Sequence, residues 1–144
     1  MKIISSISDS IDKCIKSAHV VREEVFQKGQ GIDKNLDFDG KDIDCLQIVA
    51  MDEGKPVGTV RLRKIDDKTM KVERLAVLAD FRKNGVGRDI MLEAVKIAKS
   101  ENIKKLVLNS QMSAKVFYDK LGFVPEGEVF EEAGIPHVKM SKPI

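Results

Sequence analysis

The chain has no tryptophan, a single tyrosine, two histidines, two cysteines and four prolines in 144 residues. Each scarcity excludes something. Cys14 and Cys45 are far apart with no metal-type spacing, so they read as reduced thiols, and a cytoplasmic location is expected. Two histidines cannot build a multi-histidine metal centre, and no metal is expected. No apolar run approaches the length of a membrane span, and the opening MKIISSISDSID lacks the apolar core of a signal peptide. Neither charge sign dominates: 25 Lys and Arg against 23 Asp and Glu leave a net +2. That is too little for a nucleic-acid or membrane-surface protein, so neither partner is expected. What is there is ordinary, with 33% charged and 42% hydrophobic residues. One domain spanning 1–144 is expected, long enough to bury roughly two-thirds of its unfolded surface.

The most informative stretch is 71–88, KVERLAVLADFRKNGVGR. Val72, Leu75, Val77 and Leu78 read as a buried strand. Gly85-Val86-Gly87 follows, and then Val86, Ile90, Ala94 and Ile97 recur at helical spacing, widened by Met91 and Ala98. A strand, a glycine turn and a helix start together form an anion site. The first helical N–H groups lack partners, the helix dipole favours negative charge, and glycines let a ligand approach the backbone. Arg82, Lys83 and Arg88 surround the turn, which reads as a pyrophosphate cradle; a plain strand–turn–helix connection with solvated basic residues is the alternative. No Lys-Ser or Lys-Thr follows the second glycine, so it is no P-loop, and the spacing is not a dinucleotide fingerprint.

Arg82-x-x-Gly85-x-Gly87 resembles the Q/R-x-x-G-x-G/A signature of the GNAT acetyltransferase superfamily. Downstream, Gln111-x-x-Ala114-x-x-Phe117-Tyr118-x-Lys120-x-Gly122-Phe123 is similar to the family's second block. Gly134-Ile135-Pro136-His137 with Met140 resembles the ending of a subgroup of small bacterial members. The resemblance covers essentially the whole chain. It implies an α/β GNAT-type fold: a central mixed sheet of six or seven strands, about four flanking helices, and a splayed parallel strand pair that binds acetyl-CoA. It further implies cofactor contacts from Leu75, Ala76, Val77, Arg82, Lys83, Asn84, Gly85, Val86, Gly87, Arg88, Asn109, Gln111, Ala114 and Phe117. Small members are often dimers, so a homodimer is among the expectations. Gly29-Gln30 stands where the subgroup usually has Glu-Gln, and Gln47 where histidine is common.

In chain order, the pattern predicts a strand at 2–7 and a helix capped by Ser8 or Asp9 with Ile11, Ile15 and Ala18 inward. A second short helix is expected at 20–27, and a mobile polar loop over 29–42. Strands are expected at 44–52, 56–65 and 70–78, joined by turns at 52–55 and 66–68. A helix at 85–100, a parallel strand at 104–109, a helix at 111–121 closed by Gly122, and strands at 123–129 and 135–141 complete the sheet.

Acetyl transfer to an amine needs a neutral nucleophile, a polarised carbonyl and a proton for the departing thiolate. An aliphatic amine, with a pKa of about 10.4, is almost wholly charged at neutral pH. Glu73, an acid in the apolar central strand, reads as the base, or else as a carboxylate paired with Arg61 or Arg74. A backbone N–H near Val77 reads as the carbonyl's polariser. By the motif, Tyr118 is the general acid; a packed core ring is the alternative. His137 reads as a second candidate base or a hydrogen-bonded structural group. The carboxylates Asp33, Asp37, Asp39, Asp42 and Asp44 either solvate a loop or attract a cationic amine. The leading expectation is an acetyl-CoA-dependent N-acetyltransferase acting directly on a primary amine of a small molecule. Protein Nε- or Nα-acetylation and a non-catalytic CoA-sensing module are the alternatives.

Overall fold

One tight turn sets a hairpin in the first half of the sheet. Glu53 and Gly54 both adopt positive φ, 50° and 77°, the geometry that folds 46–66 back on itself as a tight hairpin. A computed structural model describes all residues 1–144. Seven strands, β1 (Lys2–Ser5), β2 (Leu46–Asp52), β3 (Lys55–Asp66), β4 (Thr69–Val77), β5 (Lys105–Gln111), β6 (Val124–Glu132) and β7 (Ile135–Pro143), form one mixed sheet. Their order is β1-β2-β3-β4-β5-β7-β6. Only β4 and β5 run parallel, joined by the crossover helix α3 (Val86–Ser100).

The face of α3 is the one its sequence predicts. Val86, Ile90, Met91, Ala94, Ile97 and Ala98 are all buried and pack with Ile48, Val60, Leu62, Val72, Leu106 and Leu108 in the larger core. Gly58 on β3 lets the helix sit close: a Cβ there would lie 2.8 Å from Ile90 Cδ1, inside van der Waals contact. The short helix α4 (Lys115–Lys120) adds Tyr118 to the same core.

The other face is covered by α1 (Ile11–Arg22), capped by Ser10, whose side chain accepts from the Lys13 N–H at 3.3 Å. This corrects the expected cap at Ser8 or Asp9. The buried stripe is Cys14, Ala18, Val21 and Arg22, offset from the expected Ile11–Ile15–Ala18, and it carries Arg22 to the carboxylates of the following loop. No second helix starts at 20. The chain continues from α1 as a wider π-helical segment, Glu23–Lys28, which turns Val25 and Phe26 inward.

Residues 29–42 also depart from expectation. They carry a short helix, α2 (Lys34–Asp37), and are pinned rather than free. Arg22, 1% exposed, donates from Nε to Asp37 Oδ1 at 3.0 Å, from Nη2 to the Asp37 carbonyl at 2.6 Å and from Nη1 to Asp42 Oδ1 at 2.7 Å. Arg61, fully buried, donates to Asp39, Asp42 and Glu73. A buried charge persists only when paired and hydrogen-bonded. Four arginines (22, 61, 63, 74) meet four carboxylates (37, 39, 42, 73).

Candidate active site

The site opens where two strands part. β4 and β5 are paired from Thr69–Lys105 to Val72–Leu108, and there the ladder stops. The cause is a β-bulge in β4. Arg61 pairs with Glu73 and Thr59 with Ala76, so two residues, Arg74 and Leu75, oppose one. Arg74 takes a left-handed φ of 59°, a strain of order 1–3 kcal/mol for a non-glycine residue. Its side chain offsets this by clamping the loop, donating from Nη2 to the Leu36 carbonyl at 2.9 Å and to Asp39 at 3.3 Å. Beyond the bulge, the edge of β4 at Leu75–Val77 has no ladder partner in β5.

The parted strands enclose a cavity of about 870 Å³. At one end lies the start of α3. The first hydrogen bond of the helix runs from the Asp89 N–H to the Gly85 carbonyl at 2.9 Å, leaving the N–H groups of Val86, Gly87 and Arg88 without helical partners. Gly85 holds φ at 81° with open space where a Cβ would project. Gly87 backs onto Phe117, whose ring a Cβ would meet at 3.3 Å. Arg82, Lys83 and Arg88 stand around this end, and Arg82 Nε donates to the Val77 carbonyl at 2.9 Å. Of the expected cofactor contacts, all but Asn84 line this one cavity.

Tyr118 and His137 reach the same space, as does Glu73. Tyr118 is 8% exposed, its ring edge-on to Phe117 and Phe123 at 5.1 and 5.8 Å. Burial pushes its phenol above the ordinary value, so the hydroxyl stays protonated. His137 sits 2.7 Å from the Ile135 carbonyl through Nδ1. A carbonyl only accepts, so Nδ1 carries the hydrogen and Nε2 is the basic nitrogen of the neutral ring.

Glu73 does not stand as a free base. Arg61 Nη2 donates to its Oε2 at 2.7 Å and Arg63 Nε to its Oε1 at 2.5 Å. Burial alone would raise its pKa, but these two hydrogen bonds outweigh it and hold the carboxyl below the usual range. The paired alternative is what the structure contains. The loop carboxylates are corrected likewise: Asp37, Asp39 and Asp42 neither solvate a free loop nor await an amine, because arginines occupy them. Gln47 lies under this network, donating to the Asp42 carbonyl at 3.1 Å, and is absent from the cavity wall.

A family model described as an acetyltransferase (GNAT) domain matches residues 19–144. An uncharacterized N-acetyltransferase of Bacillus subtilis (strain 168), YjcF, is 40% identical over 129 residues, covering 89% of this chain and 91% of its own. The chain belongs to the GNAT acetyltransferase family. It is an N-acetyltransferase by this membership, and the GNAT fold is shared across solved structures. A candidate N-acetyltransferase from Lactobacillus plantarum superposes with a TM-score of 0.87 at 28% identity, covering 99% and 97% of the two chains. An aminoglycoside 6′-N-acetyltransferase complexed with coenzyme A gives 0.78 at 15% identity, with the same coverage; that likeness concerns the fold alone.

Sequence reading of the GNAT site missed two features. Gln30 and Gln111 exchange amide hydrogen bonds at 3.2 and 2.9 Å, bridging the loop to the end of β5 across the cavity. Glu132 also lines the cavity; its Oε1 accepts from Asn109 Nδ2 at 3.4 Å and its Oε2 lies 3.5 Å from His137 Nε2. Its adjacency to the Gly134–His137 segment was the available signal, since a tight hairpin brings residue 132 back beside 135.

The ion network makes the fold acid-labile in a stated window. Burial opposes ionisation of Asp42, but hydrogen bonds from Arg22, His19 and Arg61 prevail and lower its pKa from 3.8 to about 2. Asp39 and Glu73 are also lowered. A depressed folded-state pKa contributes stability above the unfolded value, and that stability is lost as pH falls through the folded one. Urea midpoints should therefore be level above about pH 5 and fall steeply between about pH 4 and pH 2. A midpoint at pH 3 equal to that at pH 7 would contradict the pairing.

Proposed function

We propose that this GNAT protein moves the acetyl group of acetyl-CoA directly to the primary amine of a small molecule, with no acetyl-enzyme. The observation that carries the reading is the break in the β4–β5 ladder after Val72 and Leu108, with the unpaired start of α3 at one end of the gap. The residues fit the coenzyme. Unpaired N–H groups at 86–88 with Arg82, Lys83 and Arg88 suit a pyrophosphate. The free edge at Leu75–Val77 suits an extended amide-bearing arm laid alongside it. Bound acetyl-CoA supplies an activated thioester carbonyl and a thiolate leaving group.

The chain's own groups do the rest. Tyr118, still protonated, donates a hydrogen bond toward the departing sulfur; its raised pKa makes it a donor more than a full proton source. His137 Nε2 accepts the acceptor's proton. Cys14 and Cys45 lie outside the cavity wall and burial raises both thiols, which favours direct transfer over a thiolate nucleophile. A small acceptor is favoured by the apolar wall of Phe26, Ile32 and Leu36 and by the Gln30–Gln111 bridge over the same cavity.

Gly85→Glu tests the cradle. A carboxylate set among the α3 amides reverses the favourable field for phosphate, and acetyl-CoA affinity by calorimetry should fall at least about tenfold, some 1.4 kcal/mol. Thermal unfolding in parallel keeps a folding defect from imitating the result. Undiminished affinity in a folded variant sinks the cradle. A panel of amines followed by free-thiol release separates enzyme from sensor: release that depends on added amine supports transfer, and its absence throughout points to a binding module.

A further inference from the structure

We propose that Glu132 and His137 together form the seat of the acceptor's ammonium, which makes Glu132 a determinant of specificity for cationic alkylamines. The inference rests on the transfer reading above and names the acceptor class for the same cavity. His137 Nδ1 gives its hydrogen to the Ile135 carbonyl at 2.7 Å, so in the neutral form of the ring the lone pair is on Nε2. Facing it at 3.5 Å is Glu132 Oε2, a carboxylate with only lone pairs to offer. With the ring neutral, these are two acceptors 3.5 Å apart on the cavity wall, placed so that one donor facing both can bridge them.

An alkylammonium supplies it, with one N–H for each acceptor and a positive charge for the carboxylate. Each member of the pair has a further contact, the half-exposed Glu132 from Asn109 and the buried His137 from Phe130. Asn109 Nδ2 donates to Glu132 Oε1 at 3.4 Å, Phe130 stacks on the imidazole with centroids 6.0 Å apart, and His137 is only 6% exposed. The proton step then balances: an N–H bond of the ammonium breaks, an Nε2–H bond forms, and the amine keeps the electron pair that attacks the thioester. The positive charge passes from acceptor to imidazolium without leaving the side of Glu132. Loading and activation of the amine thus use one carboxylate. Asp37, Asp39 and Asp42 cannot serve here, since arginines occupy them, and Asp33 and Asp44 are not on the cavity wall.

Because the chain has only two histidines, the imidazole proton resonances read the seat directly, without turnover. Titrating n-butylamine at neutral pH into the full-length protein should shift the His137 resonance saturably. The uncharged 1-butanol should not. In Glu132→Gln, which keeps the shape and the Asn109 contact, the butylamine response should weaken at least tenfold, while acetyl-CoA affinity by calorimetry stays within twofold. An equal response in both proteins, or none in the wild type, overturns the proposal. Loss of acetyl-CoA binding in the wild type instead overturns the transfer reading and leaves the ammonium seat standing on its own titration.

Discussion

Arg61→Ala should cost about 3–5 kcal/mol of stability, the effect of removing one member of a buried ion cluster. The guanidinium is fully buried, with Nη2 2.7 Å from both Asp39 Oδ2 and Glu73 Oε2 and Nη1 2.8 Å from Asp39 Oδ1. Truncation leaves carboxylates facing one another out of water, and each must find a proton or a solvent path. The expected loss is far above that of an exposed pair such as Lys13–Asp9, where alanine should move stability by less than about 1 kcal/mol. Urea unfolding at neutral pH measures both. A loss under about 1 kcal/mol for Arg61→Ala would mean that the carboxylates re-pair with Arg22, Arg63 and Arg74 without strain.

That same cluster explains why the fold was legible in the sequence while part of the site was not. Helix α3 declares itself because Val86, Ile90, Ala94 and Ile97 repeat at helical spacing, and all four are buried. The hairpins declare themselves through Gly54 and the acid-rich turns. Ionic pairing leaves no such period. Arg22 meets Asp37 across 15 residues, Arg61 meets Asp39 across 22, and Arg74 meets the Leu36 carbonyl across 38. A polar run like 29–42 therefore looks solvated until its distant partners are placed. Glu73 stayed open between base and paired carboxylate for the same reason, and its pairing shows only once Arg61 and Arg63 are placed. Its position in an apolar strand identified it as buried, but burial says nothing about who shares the cavity with it.

The bulge links stability to the site. Arg74 holds its left-handed φ at the bulge while its side chain is bonded to the loop carbonyls and Asp39, and it is at this bulge that the β4–β5 ladder ends. The loop anchored by Arg22 and Arg61 thus packs directly on the bulge at which the cleft begins. The cleft is lined in two ways: by backbone amides and cations at α3, and by side chains on the β6–β7 hairpin at His137. Backbone geometry follows from a short glycine pattern and was readable. Side-chain pairing between β5, β6 and β7 depends on register, and Asn109–Glu132–His137 emerged only once Gln111 was seen opposite His137.

Tyr118→Phe should lower turnover by about 10²-fold or more, within the range for loss of a positioned proton donor, while acetyl-CoA affinity changes little. The substitution removes one oxygen from a ring already packed between Phe117 and Phe123, so stability should move by less than about 1 kcal/mol. The loss therefore belongs to the chemical step. A second measurement separates assistance at sulfur from mere ring placement. An acetyl thioester whose thiol is more acidic expels a more stable thiolate and needs less help, so the ratio of wild-type to variant turnover should shrink with that donor. If the ratio is the same for both donors, the hydroxyl acts elsewhere than on the leaving group. If turnover with acetyl-CoA is unchanged, Tyr118 is a core residue, and the sulfur must draw its hydrogen bond from solvent at the open side of the cleft.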